Sequence, residues 1–446
     1  MLDSILFKQV DMVFPEGIRR GDLWVKAGKI IAIGPSLPEY AEFILHEEGL
    51  LLMPGVIDPH VHFREPGADH KETIETGSMA AASGGVTSFF DMPNTNPSTT
   101  TVQALEYKKN RAAQTSLVNY NFFIGATPTN LDELILARNV PGIKLYIGST
   151  TGNLLVDQSE HLEEIFKKSN KLIAVHAEDN GLIEAQKRRY KNSVNPADHA
   201  NIRPPEAALK ATQLAYELSK KYNRRLHICH MSTEEEVLFL TKMKPYAPVT
   251  CEVTPQHLLL IAPGCYDKLG TFAQMNPPLR EVRHSEALFK ALKSGLIDCV
   301  ATDHAPHTIQ EKQQPFWQAP SGIPGVETSL SLMLTLVNQG KLTLQQVLSK
   351  LCEGPTKVFG IAKKGKLAIG YDADFVLVDL KGKKTISAHA IHSKCGWSAF
   401  EDWEVQGVPI ATFVRGQMVY REGQFFTAIK GKEIVLQTKP TPETPR

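Results

Sequence analysis

Met53-Pro-Gly-Val-Ile-Asp-Pro-His-Val-His62 is an apolar, β-rich run that ends in two histidines. Seven more such runs follow, at residues 86–91, 118–124, 143–147, 172–176, 226–230, 249–253 and 297–303. Between them lie amphipathic stretches with helical spacing, among them 160–169, 205–222 and 285–294. Eight β runs alternating with helices predict a parallel (β/α)8 barrel of the TIM type. A doubly wound open sheet is the alternative, but no glycine-rich dinucleotide turn follows the first strand.

Outside this stretch the pattern changes. Residues 22–34 read as two β runs around a glycine turn, a hairpin signal. Helical stretches at 326–338 and 344–352 precede a return to β pattern. Residues 365–379 read as strand, turn, strand, and 408–419 and 434–437 add further strands. Both chain ends are therefore expected to pair into one small β-sandwich. The expected organisation is 1–52 as its N-terminal part, 53–363 as the catalytic barrel, and 364–446 as its C-terminal part plus a disordered tail, 439–446.

The 446 residues are 42% hydrophobic and 22% charged, an ordinary globular balance. Forty-nine basic and 48 acidic residues leave a net charge of +1, which argues against a nucleic-acid binder. No apolar run reaches the roughly 18 residues of a membrane span. The first residues lack a basic segment, an apolar core and a cleavage site, so they do not read as a signal peptide. Six scattered cysteines in apolar runs read as reduced, buried residues of a cytoplasmic protein.

The chemistry concentrates at strand ends. Residues i and i+2 of a strand share a face, so His60 and His62 both project inward at the C-terminal end of the first barrel strand. Imidazole suits divalent metals such as zinc. His176 and His230 close the fifth and sixth runs, and Asp303 closes the eighth, where a carboxylate can ligate metal and move a proton. A lone histidine at a strand end is more often a packed residue; four converging on one mouth are hard to explain by packing. His227 and His304 are expected to face away.

Asp58-Pro-His-Val-His-Phe-Arg-Glu-Pro-Gly67 and Ala301-Thr-Asp-His-Ala-Pro-His307 resemble the two signature segments of the dihydroorotases, within the metal-dependent cyclic amidohydrolases. Met92-Pro-Asn94-Thr, Gly142-Ile-Lys144-Leu-Tyr, Val175-His-Ala-Glu178, Met275-Asn-Pro-Pro-Leu-Arg280 and further segments occur in the family's order. The resemblance implies two zinc ions per subunit, one held by His60, His62 and Asp303, the other by His176 and His230. It implies a carbamate on Lys144 bridging them, with Asp157 as the runner-up bridge. Arg64, Asn94, Asn276 and His307 would contact the substrate, and Asp303 would be the general acid and base. The implied reaction is reversible hydrolysis of L-dihydroorotate to N-carbamoyl-L-aspartate, in pyrimidine synthesis. The implied partner is that small molecule, with no nucleic acid and no membrane; a homodimer is left open. Hydantoinases, allantoinases and a non-catalytic relative are the rival readings. One departure is visible: Pro255-Gln256-His257 stands where relatives usually read Pro-His-His, and neither Gln256 nor His257 is among the implied metal ligands.

Overall fold

Ala27 and Gly28 both have positive φ, 49° and 76°, as a two-residue type I′ turn requires. They join β2 (Gly17–Lys26) to β3 (Lys29–Gly34), following β1 (Ser4–Phe14) and preceding β4 (Phe43–His46) and β5 (Leu51–Pro54). The computed structural model describes residues 4–148 and 154–437; the 439–446 tail lies outside the described residues.

The barrel strands are β6 (Val56–Val61), β7 (Val86–Asp91), β8 (Asn119–Phe122), β9 (Ile124–Gly125), β10 (Ile143–Tyr146), β11 (Ile173–His176), β12 (Leu226–Ile228), β13 (Val249–Val253) and β14 (Cys299–Val300). They are eight staves, because β8 and β9 are one strand interrupted at Phe123. All neighbouring pairs are parallel. A parallel bridge between Val61 and His304 closes the ring, and Thr302 N donates to Asp58 Oδ1 at 3.1 Å across the same seam. Closure excludes the open-sheet alternative. Ile57, Phe90, Phe123, Ala174, Cys229 and Cys299 fill the barrel interior, and Val358, Phe359 and Ile361 plug its lower end. The helix Pro205–Tyr222 opens on Pro205 and stops at Asn223, whose φ of 48° is left-handed; it buries Ala207, Ala208, Ala211 and Ala215, small side chains that permit close packing.

After the barrel come β15 (Phe375–Thr385), β16 (Glu404–Val414), β17 (Gln417–Arg421) and β18 (Gln424–Phe425). They join the N-terminal strands in one sheet, ordered β18-β17-β16-β15-β5-β1-β2-β3, with β4 beside the first half of β1. Phe7 on β1 meets Phe413 on β16 edge-on, ring centroids 5.3 Å apart, although β5 and β15 lie between those strands. Flat strands spaced by about 4.8 Å would hold them roughly 14 Å apart. The sheet therefore curls over itself into a sandwich, with Phe7, Leu23, Val25, Phe375 and Phe413 in its core.

Three strand expectations need correction. The 53–62 run is two strands: β5 pairs with β1 and β15 in the sandwich, and only β6 enters the barrel. They meet at Gly55, where a Cβ would sit 2.2 Å from the Thr87 side chain. Residues 365–374 form no strand, because Gly365 and Gly370 take left-handed φ values of 75° and 81°. Residues 434–437 lie beneath the barrel, where Ile434 N donates to Tyr120 O at 2.8 Å and Leu436 bridges Ile361.

Candidate active site

His60, His62, Lys144, His176, His230 and Asp303 converge at the C-terminal mouth of the barrel. With Arg64, Asn94, Tyr146, Asn276 and Ser321 they line an open cavity at the barrel mouth. Strict alternation would set Ile57 and His60 on opposite faces of β6. A register break between Asp58 and Val61 lets both face inward. Lys144 pairs with Ala174, one inward layer below the Tyr146–His176 pair, and its long side chain spans the difference. His230 and Asp303 lie just past strands that end earlier than expected. Both take positive φ, 33° and 49°, a costly conformation that concentrates at functional sites.

Three of the four imidazoles, those of His60, His62 and His176, have a partner behind them. His60 Nδ1 meets Glu252 Oε1 at 2.5 Å, and His62 Nδ1 donates to Asn94 Oδ1 at 2.6 Å. That leaves both Nε2 atoms facing Asp303 Oδ1, at 3.3 and 3.0 Å. His176 is turned the other way: a Glu178 oxygen lies 2.9 Å from its Nε2, and its Nδ1 faces His230 Nε2 at 3.1 Å. Arg203 braces Glu178 from behind.

Burial, then the Lys144 charge, pushes His60 down to about 4. Burial likewise lowers His176 and His230. These imidazoles are neutral at pH 7, the form that binds metal. Burial alone would raise the Asp303 carboxyl, but His60 and His62 outweigh it and hold Asp303 well below the usual carboxylate range. Burial pushes Cys229 up to about 12, so the group that accepts from Lys144 Nζ at 3.1 Å is a thiol. Lys144 is fully buried, and no carboxylate among the described residues pairs with it.

These residues fit a divalent metal. Donor atoms of His60, His230 and Asp303 lie within 4.8 Å of one another, and His60 Nε2 is buried with no hydrogen-bond partner. A buried imidazole nitrogen without a hydrogen-bond partner, beside a carboxylate, offers the donor chemistry a divalent cation takes.

Arg64 is 6% exposed. Its Nε donates to Pro306 O at 3.0 Å, and one terminal nitrogen lies 3.2 Å from His307 Nε2. His307 sits behind Arg64, outside the cavity lining. Asn276 lines the cavity and accepts from His199 Nε2 at 3.0 Å. Asp157 is exposed, bound to Asn180, and outside the cavity. His304 faces away as expected; its Nδ1 accepts from Gly325 and Val326 N–H. His227 also stays out of the cavity but holds the second oxygen of Glu252 at 3.0 Å.

Sequence reasoning passed over Glu252, Glu178 and the supporting role of His227. The available signal was an acidic residue in an otherwise apolar strand, Val249–Val253, which a buried carboxylate explains only with partners. Gln256, the visible departure, donates to Thr302 O at 2.9 Å, immediately before Asp303.

The amidohydrolase family profile matches residues 51–419. The dihydroorotase of Methanosarcina acetivorans is 37% identical, over 94% of this chain and 93% of that protein. That of Halobacterium salinarum is 38% identical, over 95% and 98%. Among solved structures, the L-hydantoinase (dihydropyrimidinase) of Arthrobacter aurescens superposes with a TM-score of 0.93 at 31% identity, covering 98% of this chain and all of that one. A profile matched over most of the chain, and relatives more than one-third identical along nearly all of it, lead to one conclusion: the chain belongs to the amidohydrolase family.

Proposed function

We propose that this metal-dependent amidohydrolase catalyses the reversible hydrolysis of L-dihydroorotate to N-carbamoyl-L-aspartate, the ring-closing step of pyrimidine synthesis in reverse. The observation that carries the substrate is Arg64. It is a buried guanidinium beside the histidine cluster, and no carboxylate among the described residues pairs with it. A buried unpaired charge is costly and calls for an anion, which the dihydroorotate carboxylate provides.

Two zinc ions per subunit are the proposed metals, one held by His60, His62 and Asp303, the other by His176 and His230. A carbamate on Lys144 would bridge them. It would turn an unpaired buried cation into an anion among neutral imidazoles. Divalent metals supply the Lewis acidity that polarises an amide carbonyl and acidifies water. The chain's own residues do the rest. Arg64, with His307 behind it, takes the carboxylate, while Asn94 and Asn276 border the ring. Asp303 accepts the proton of the attacking water and returns it to the ring nitrogen as the amide C–N bond breaks; closure reverses these transfers.

The hydantoinase reading draws on the fold likeness to L-hydantoinase. An uncharged hydantoin ring would leave Arg64 without an anion, so dihydroorotate is preferred. We also infer a cytoplasmic enzyme without nucleic-acid or membrane partners, with a homodimer as the assembly to test. No helix among the described residues is long and apolar enough to cross a membrane. The test is an assay of purified, zinc-loaded protein on dihydroorotate, hydantoin and allantoin in parallel. Ring opening confined to dihydroorotate is expected; faster turnover of either rival overturns the assignment.

A further inference from the structure

Lys71 lies in the loop after β6, with its side chain 15% exposed, and no role in the proposed chemistry requires it. Its Nζ is 3.1 Å from His307 Nδ1 and 2.9 Å from Glu311 Oε1. An ammonium can only donate, so Nδ1 of His307 must be the acceptor and carry no hydrogen. The opposite ring nitrogen, Nε2, lies 3.2 Å from the Ser321 carbonyl oxygen, which can only accept. Two independent contacts thus demand one tautomer, with the hydrogen on Nε2. Glu311 Oε2 is 3.8 Å from Nδ1, too far to compete.

The tautomer decides the state of Arg64. An Arg64 terminal nitrogen faces His307 Nε2 at 3.2 Å. If Nε2 were bare, it would accept from Arg64, and the two groups would satisfy each other. With Nε2 protonated, both groups are donors. The Nε2 hydrogen then goes to the Ser321 carbonyl, Nε2 cannot accept from Arg64, and the Arg64 N–H groups are left for an anion in the cavity.

We propose that Lys71 is a positioning residue that fixes the His307 tautomer and so keeps the Arg64 guanidinium available to the substrate carboxylate. The idea rests on the dihydroorotate reading of the same pocket. Glu311 holds Lys71 in place, and Glu311 is itself anchored through the capping box it forms with Thr308.

Nitrogen-15 spectroscopy of histidine-labelled, zinc-loaded protein reads the tautomer directly, with the His307 signal assigned by its loss in His307→Gln. The wild type is expected as Nε2–H. Lys71→Met should shift His307 toward Nδ1–H and raise KM for dihydroorotate about tenfold, as for losing one charge-assisted hydrogen bond, with kcat within about threefold. Lys71→Arg, still a pure donor, should keep both properties. An Nδ1–H wild type overturns the proposal. So does a Lys71→Met protein whose KM rises with the tautomer unchanged, since charge alone then explains the effect. If the tautomer behaves as stated but wild type does not act on dihydroorotate, the substrate reading fails and takes the carboxylate half of the proposal with it, while the Lys71–His307 coupling stands.

Discussion

Glu252→Gln is the sharpest probe of how the histidine cluster is held. Glu252 is 1% exposed and contacts three donors: His60 Nδ1, His227 Nε2 at 3.0 Å, and His230 N at 3.3 Å. Despite burial, its interactions with His60 and His227 hold its carboxyl well below the usual range, so it is an anion. Glutamine keeps the shape but has one acceptor and one donor end. Turning the NH2 toward His60 would force the imidazole hydrogen onto Nε2 and abolish ligation. Turning it toward His227 costs less, because Thr250 Oγ1, 2.9 Å from His227 Nδ1, can serve either tautomer. The second arrangement should prevail. Its cost at His60 is the difference between a charge-assisted and a neutral hydrogen bond, about 1–1.5 kcal/mol. That is roughly tenfold in metal affinity, within the range for residues that support metal-binding histidines. Zinc titration of metal-free protein against a chromophoric chelator measures it, with circular dichroism confirming the fold. Affinity within about twofold of wild type would refute the reasoning.

Three further predictions follow from the same geometry. Asp303→Asn keeps size but removes the base, and turnover should fall at least about 100-fold; turnover within about threefold at unchanged metal content would remove Asp303 from its role. Arg64→Met should weaken dihydroorotate binding by about 2–3 kcal/mol and leave zinc content intact; unchanged KM would show that the carboxylate is held elsewhere. The third concerns acid. Burial pushes His199 and His257 down to about 4 and His307 to about 3, against 6.5 for an open histidine. Below pH 6.5 the unfolded chain takes up protons that the folded state refuses until near pH 4. Stability should therefore be level above about pH 6.5 and fall below it, on the order of 4 kcal/mol per pH unit if all three contribute fully. A melting midpoint unchanged between about pH 7.5 and 5.5 would contradict this.

The barrel was legible because its signal is periodic and repeated. All eight β runs carry a strand, and the run at 86–91 and the helix at 205–222 have the expected bounds. What the sequence hid is where strands stop. Leu226 to His230 reads as one β run, yet the strand ends at Ile228 and His230 sits on a left-handed residue. Alternation cannot reveal such a turn, because the conformation is held by neighbours distant in sequence, such as Glu252 on the His230 amide. The same limit hid the supporting shell. His60 and Glu252 are 192 positions apart, and only closure of the barrel makes them partners. At the sandwich, Gly55 carries the crossing between two sheets inside what reads as one strand.

The most direct test is a crystal structure of the zinc-loaded protein with dihydroorotate bound. The account predicts the ring carboxylate on the Arg64 guanidinium, the ring amide facing Asp303, and a carbamate on Lys144 between two metals. A carboxylate bound away from Arg64, or a bare Lys144 amine with Asp157 bridging the metals, would contradict it.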